Sequence, residues 1–360
     1  MNLAALKTYF DPVRQAIIAT DGSTVIYANP VAEAVLGDEI VGKQAADLIP
    51  QEILKSEAAS MACSATIGGK AAAIFIKSGE KLKLFYINFY ENDNAGTMPV
   101  SPRMTNYLRS CANGIKMSAD LCFTPVEEGK MPSEKHISVL YHYYYCLIRM
   151  VTQVDSANKL EQGEYTIETV HTDLVKLCRE LTATVSNLSR GSCVDIAFLC
   201  EEESLTAVVD PAKIELMLLN LFSNSLKHTP PNGSITLSLS KSQDSILISL
   251  DDSGNGIPQE KLSLLFSVGN EEFDIAKPDS GLGLGLYIAG SIVRLHNGVM
   301  LIESRKGEGT HVRIKLPAGE TPSTKFNTPV TPYRSAGISP ALTELADILK
   351  SDCYGPKYED

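Results

Sequence analysis

The chain has 360 residues, room for roughly two or three domains with separate cores. Apolar residues make up 44% and charged residues 21%, as in ordinary soluble proteins, and a formal net charge of −11 leaves no basic face to repay the repulsion of a nucleic acid. No run of about eighteen apolar residues predicts a membrane span. The opening MNLAALKTYFDPVRQ lacks a signal-peptide layout and the eight cysteines form no CxxC pair, so a reduced, cytoplasmic protein is expected.

Residues 13–29, VRQAIIATDGSTVIYAN, hold two β-rich runs around Asp21-Gly22, a pair suited to the positive φ of a tight hairpin. Short helical stretches follow in PVAEAVLG and AADLIP, then strand-like runs in AAAIFIKSG and KLKLFYINFY. A short antiparallel sheet with small helices packed on it accounts for this order. The series hairpin, N-P-x-A-E-x-x-L-G, V-G-K-x-x-x-D-L-I-P and strands resembles a PAS sensor domain, placed at 1–97.

NDNAGTMPVSP then reads as a linker, and two helical patterns follow within 98–158. In the first, Leu108, Cys111, Ile115, Ser118 and Cys122 recur at helical steps, flanked by Met104, Ala112 and Ala119. In the second, Ile137, Leu140, Tyr144, Leu147, Val151 and Val154 do the same. Such stripes need a facing helix, and one hairpin covers only one side of each. Two hairpins paired into a four-helix bundle, and hence a homodimer, are expected, with a monomeric hairpin packed on its neighbours as the alternative.

Over 159–317 helices and strands alternate: TDLVKLCRELTATVS as helix, VDIAFLC and LTAVVD as strands, PAKIELMLLNLFSNSLKHT as helix, SITLSLS and SILISLDD as strands. This predicts a mixed sheet covered on one face by helices, an α/β sandwich, within a multidomain α+β protein. Residues 318–360 read as a flexible Ser/Thr/Pro linker ending in the amphipathic SPALTELADILKS. Leu342, Leu345, Ala346 and Leu349 share one face of that helix, which is expected to be detachable.

In ILISLDDSG, residues Ile246, Ile248, Leu250 and Asp252 share one strand face, which puts the Asp252 carboxylate at the inner end of an apolar pocket. A buried carboxylate needs donors, and a purine amine is a fitting one. Asp251 points the other way, to solvent. Gly254 and Gly256 let the backbone turn and approach a flat ring. Gly281, Gly283 and Gly285 open the amphipathic LYIAGSIVRLHNG, and glycine amides at a helix start can hold phosphate. A dinucleotide fingerprint would need a strand before that run, where EEFDIAKPDS is loop-like. On the helix from Pro211, Asn220, Asn224 and Lys227 lie on one side. An amide oxygen there suits Mg²⁺ and the lysine suits phosphates; the plainer alternative is the polar side of a surface helix.

LNLFSNSLKHTP, DDSGNGIP, GLGLGLYIAGSIVRLHNG and GEGTHVRIKLP resemble the N box and glycine boxes of the histidine-kinase ATP-binding domain, and LEQGEYTIETVHTDLVKLCREL resembles its lead-in. The resemblance implies ATP and Mg²⁺ as ligands, Asn224 as the metal ligand, and Asn220 and Lys227 at the catalytic position beside the phosphates. It implies Asp252 at the adenine amine, Gly254, Gly256 and Ile257 around the base, and Gly281, Gly283, Leu284 and Gly285 as the phosphate-side hinge. Thr310 and His228 complete the implied ATP site, His228 standing where the family often has Tyr. FSVGNEEFDIAKPDS would be the lid, its phenylalanine box reduced to Phe266. Relatives that hydrolyse ATP carry Glu one turn before the metal Asn; Asn220 has no basic lone pair, and Glu215 lies about 140° around the helix. A gyrase-like ATPase is therefore disfavoured.

Against the family's acceptor pattern H-E-L-R-x-P-L-x-x-I the chain reads NYLRSCANGI from Asn106 to Ile115. Leu108, Arg109 and Ile115 match; Asn106 replaces His, Tyr107 replaces Glu and Cys111 replaces Pro. Asn106 is expected off the buried stripe, but an amide nitrogen is no nucleophile. Three readings stay open: an ATP-dependent phosphotransferase with an unusual acceptor in itself or a partner such as a response regulator, an ATP-binding pseudokinase, and a Ser/Thr kinase of the anti-sigma-factor type. His142, expected to face outward on the second helix, is a candidate replacement acceptor.

Overall fold

The computed structural model describes residues 3–37, 39–79, 82–89, 102–127, 131–242, 244–262, 265, 283–318 and 339–354. Helix α1 (Leu3–Phe10) leads into strands β1 (Ala16–Thr20) and β2 (Val25–Ala28), which pair antiparallel across Gly22 at φ 101°. Asn29 caps α2 (Pro30–Leu36): its Oδ1 accepts from Ala32 N at 3.0 Å and from Ile17 N at 2.9 Å, tying helix to strand. AADLIP forms only a 3₁₀ turn at Ala45–Asp47, followed by α3 (Gln51–Lys55). Strands β3 (Ser60–Ile67), β4 (Lys70–Ser78) and β5 (Lys83–Phe89) form a meander, with β5 against β1. Ile18, Val25, Ile40, Ile53, Ile74 and Phe85 fill the core beneath the sheet. Elements α1, α3 and β3 go beyond the sequence expectation.

The hairpin is α4 (Pro102–Glu127) and α5 (Glu134–Glu161). On α4, Met104, Cys111 and Ser118 are buried, and a Cβ at Gly114 would come within 2.5 Å of the Tyr143 ring. The expected stripe is split by this rotation: Leu108, Tyr144 and Val151 are exposed, as are Met117 and Leu121. Each helix therefore shows a second apolar face that its partner does not cover.

The C-terminal part continues with β6 (Val170–Asp173), α6 (Leu174–Leu188), β7 (Asp195–Cys200), β8 (Thr206–Val209) and α7 (Pro211–His228). After α7 come β9 (Ser234–Ser242), β10 (Ser245–Asp252), the short α8 (Gln259–Leu262), α9 (Gly285–Leu295), β11 (Val299–Arg305) and β12 (Gly309–Pro317). Asp173 and Asp210 cap α6 and α7 through their side chains, and Pro211 opens α7 with φ already set. β6 pairs with β8 alone. The others join one mixed sheet in the order β2-β1-β5-β4-β3-β11-β12-β10-β9-β7, parallel only at β7–β9.

That order means the N-terminal sheet and the C-terminal sheet are one. β3 pairs antiparallel with β11, Met300 opposite Ser64 and Ile302 opposite Ala62. Nothing in the sequence reading anticipated this junction.

The C-terminal helix departs from expectation too. It is shorter, α10 (Pro340–Glu344), followed by turns and a 3₁₀ turn at Ser351–Cys353. Far from standing free, it packs on α5, α6 and α7, with Leu342, Leu345, Ala346 and Tyr354 buried in the main core. A face of four apolar residues is stabilised by the nearest apolar surface, and here that surface is the chain's own. The linker 319–338 lies outside the described residues.

Candidate functional site

Helix α7 is held by its apolar side: Ile214, Met217, Leu218, Leu221 and Phe222 are buried. At its start, His296 Nε2 accepts from Asp210 N at 2.9 Å, so the end of α9 anchors the α7 cap. This fixes the three predicted side chains differently from one another. Asn220 is 1% exposed; its Nδ2 donates to Leu216 O at 2.9 Å and its Oδ1 accepts from Gln153 Nε2 of α5 at 3.3 Å. Asn224 and Lys227 are half-buried and His228 is exposed. Asn224 makes no side-chain hydrogen bond among the described residues, so its amide oxygen is available to a ligand. Glu215 is half-buried, and burial pushes its carboxyl up.

Asp252 lies where alternation puts it, buried with Ile246, Ile248 and Leu250. Its Oδ2 accepts from Ser225 Oγ at 3.0 Å, and its Oδ1 from Gly254 N at 2.9 Å and Thr310 N at 3.2 Å. A carboxylate offers about four acceptor positions, so three donors keep the charge satisfied and leave room for another. Asp251, expected to be solvated alone, pairs with His311 at 2.6 Å on the other face.

The turn after β10 is clamped on both sides. Asn255 N donates to His228 O at 3.1 Å, Gly307 N to Asn255 O at 2.8 Å, and Ile257 N to Ser304 Oγ at 2.8 Å. Gly256 has φ 64°, and a Cβ there would overlap the Arg305 carbonyl oxygen. On the side where a Cβ would stand, the close neighbour of Gly256 is the β11–β12 hairpin.

Gly283 is exposed at φ 74°, Leu284 is buried, and α9 starts at Gly285 without a side-chain cap. A Cβ on Gly285 would come within 2.6 Å of Asn220 Oδ1, so the bare glycine lets the α9 start lie against the Asn220 amide without displacing it. Gly281, Phe266 and the proposed lid over 266–280 lie outside the described residues.

On the hairpin Asn106 is exposed, as expected, and Arg109 beside it is too. Tyr107 is half-buried and donates to Asp347 beyond α10. His142 does not face outward: it is half-buried, edge-on to the Tyr143 and Tyr354 rings, with Nε2 3.8 Å from Cys146 Sγ, and burial lowers its pKa. That geometry corrects its place as an open acceptor.

Sequence reasoning missed Ser225, Ser304 and Gln153, which hold Asp252, Ile257 and Asn220. Neither Ser225 nor Gln153 carries a sequence signal that marks it as a partner of these groups.

Residues 209–320 match the family of histidine kinase-, DNA gyrase B-, and HSP90-like ATPases. Among curated proteins the chain is 28% identical over 180 residues to histidine kinase P4 of Formosa agariphila, which covers 48% of this chain and 13% of that protein. It is 30% identical over 171 residues to the adaptive-response sensory kinase SasA of a Synechococcus species, covering 47% of this chain and 45% of that one. The solved nucleotide-free catalytic domain of the histidine kinase ThkA is 28% identical, with a TM-score of 0.38, over 42% of this chain and 96% of that domain. The chain spans less than half the length of these curated relatives. The matched stretch, 209–320, runs from the end of β8 past β12 and takes in α7, β10 and α9. No helix among the described residues is long and apolar enough to cross a membrane.

Proposed function

We propose that this protein is a sensor histidine kinase-like signalling protein that binds ATP with Mg²⁺ where α7, the end of β10 and the start of α9 meet. The observation that carries the reading is Asp252: a buried carboxylate, fixed by three donors, with acceptor capacity left for the adenine amine. Gly254, Gly256, Ile257 and Thr310 build the wall around it; Thr310 does so through its own amide bond to Asp252. Asn224 supplies an oxygen to Mg²⁺, which when bound offsets phosphate charge. Lys227 and the uncapped amides at the α9 start attract the same phosphates, with Gly281, Gly283, Leu284 and His228 around them.

Phosphoryl transfer depends chiefly on positioning and charge stabilisation, which these groups supply. The weak point is the acceptor. Asn106 is exposed but its amide cannot attack phosphorus, and this favours a second reading, an ATP-bound pseudokinase that regulates a partner. The N-terminal unit serves as a PAS-like sensor. The uncovered apolar faces of α4 and α5, with Leu108, Met117, Leu121 and Val151 exposed, pair with a second copy to make a homodimer. A response regulator is the partner class that fits a kinase of this type.

The test is ATP binding by calorimetry with phosphate uptake from labelled ATP, followed by acid and base treatment. Binding with covalent uptake supports the kinase, and the lability identifies the acceptor. Binding without uptake by the chain or a supplied response regulator supports the pseudokinase. No binding removes both.

A further inference from the structure

Residues 339–354 lie where the hairpin meets α7. Ser339 caps α10, accepting from Leu342 N at 3.4 Å, and Leu342, Leu345 and Ala346 turn inward. Tyr354 closes the segment: its ring lies against Tyr145 and His142, and its hydroxyl donates to Leu342 O at 3.1 Å.

A polar network ties this segment to three helices. Arg149 of α5 pairs with Glu344 at 3.3 Å and with Asp347, while its Nη2 donates to Ser223 Oγ of α7 at 2.9 Å. Gln153, also on α5, reaches both Glu344 Oε2 at 3.4 Å and Asn220 Oδ1 at 3.3 Å. Tyr107 of α4 donates to Asp347. The segment thus bonds to both hairpin helices, at Tyr107 next to position 106 and at Arg149 and Gln153, and packs on α7, while Arg149 and Gln153 themselves reach Ser223 and Asn220 of α7.

The chemistry suits a contact that is made or broken as a whole. Two carboxylates face one buried guanidinium, and burying such a set costs desolvation that apolar residues of the same size would avoid. Breaking one link leaves a charge buried without its partner, so a partly released state is disfavoured.

We infer that residues 339–354 are a releasable clamp that holds the histidine-kinase-type ATPase domain against the hairpin, and that release frees the domain to move relative to position 106. The inference rests on the proposed function only for what that motion serves; the clamp itself stands on the contacts.

The test compares the full chain with Leu345→Asp/Leu349→Asp, which puts charge into the buried face of the clamp and alters no residue of the nucleotide site itself. Amide hydrogen exchange is read on α5 at 145–157, on α7 at 214–223 and, as control, on β9 and β10. Exchange on the two helices should rise by at least about tenfold with the control strands unchanged and ATP affinity held within about threefold. A synthetic 339–354 peptide added to the variant should slow the exchange again. Tyr107→Phe, which removes a single link, should move exchange the same way by less. Wild-type exchange in the double variant overturns the inference. So does loss of protection in β9 and β10 together with α5, since the segment would then be part of one cooperative core. If neither protein binds ATP the proposed function falls, and the exchange data still decide the clamp.

Discussion

At the scale of single residues the site turns on what each polar group already has. Asp252 is saturated by Ser225, Gly254 N and Thr310 N except for one acceptor position, and that position is what an adenine amine would use. Asp252→Asn keeps an oxygen for the two backbone amides, so the fold should hold, but it places an NH₂ group toward ligand and Ser225. ATP affinity should fall by at least about tenfold, or about 1.4 kcal/mol, by calorimetry; an unchanged Kd would take Asp252 out of the site. Asn224 makes the opposite case, a half-buried amide with no bond among the described residues. Asn224→Ala should abolish the Mg²⁺ dependence of nucleotide binding while the melting temperature stays put. Titrations with and without Mg²⁺ that match wild type would place the metal elsewhere. Asp252 was legible because strand alternation fixes its face; its partner Ser225 was not, because a serine on a helix has no periodic signature of its own. Asn220 was legible as a site residue, yet its bond to Gln153 joins helices far apart in sequence, and no local pattern encodes that.

Elements were readable in proportion to how much their own residues dictate. Asp210, Pro211 and a 3.6-residue apolar rhythm define α7 without tertiary help, and its boundaries follow. β3 was missed because SMACSATI is small and weakly patterned, and it becomes a strand through pairing on both sides. The clamp was half-read: the apolar face of 342–349 was plain, but amphipathicity says that a face is buried and not against what. The clamp also carries a pH dependence of definite sign. Burial pushes the Glu344 carboxyl above the ordinary glutamate value of 4.5, outweighing the attraction of Arg149 and the hydrogen bonds from Gln153 and Arg149, with Asp347 pushing the same way as burial. A released Glu344 returns to the ordinary value, so the docked state binds the proton more tightly. Its stability is fully present below 4.5 and is lost as pH rises through the raised value. Opening of the clamp, measured as exchange at 149–153 corrected for intrinsic rates, should therefore grow as pH rises from 4.5 through the raised value. Glu344→Gln should flatten that slope; a slope that survives the substitution assigns it to another group.

At the scale of the whole molecule the N-terminal unit and the C-terminal unit share a sheet. β11 would otherwise be an edge strand, with Val299 and Leu301 turned toward the N-terminal core and packed against it. Side chains reinforce the junction: Arg294 Nη1 donates to Ser64 Oγ at 2.8 Å, Ser56 Oγ to Glu303 Oε1 at 3.2 Å, and Lys315 pairs with Glu52. The N-terminal unit therefore contacts α9, β11 and β12 directly, apart from the helical hairpin. None of this was visible beforehand, because edge pairing is made by backbone groups that every sequence possesses. It has a consequence that can be measured. Removing residues 1–97 would uncover an open strand edge carrying Leu301, the arrangement that invites edge-to-edge association. The truncated chain should self-associate in light scattering at concentrations where the full chain does not. Leu301→Lys separates this cause from general misfolding, because its effect should reverse with context. In the truncated chain an edge lysine blocks strand addition and should restore solubility. In the full chain the same charge enters the packed junction and should lower stability by about 1–3 kcal/mol in denaturant melts. If the substitution acts in the same direction in both chains, β3 and β11 do not form the junction that protects this edge.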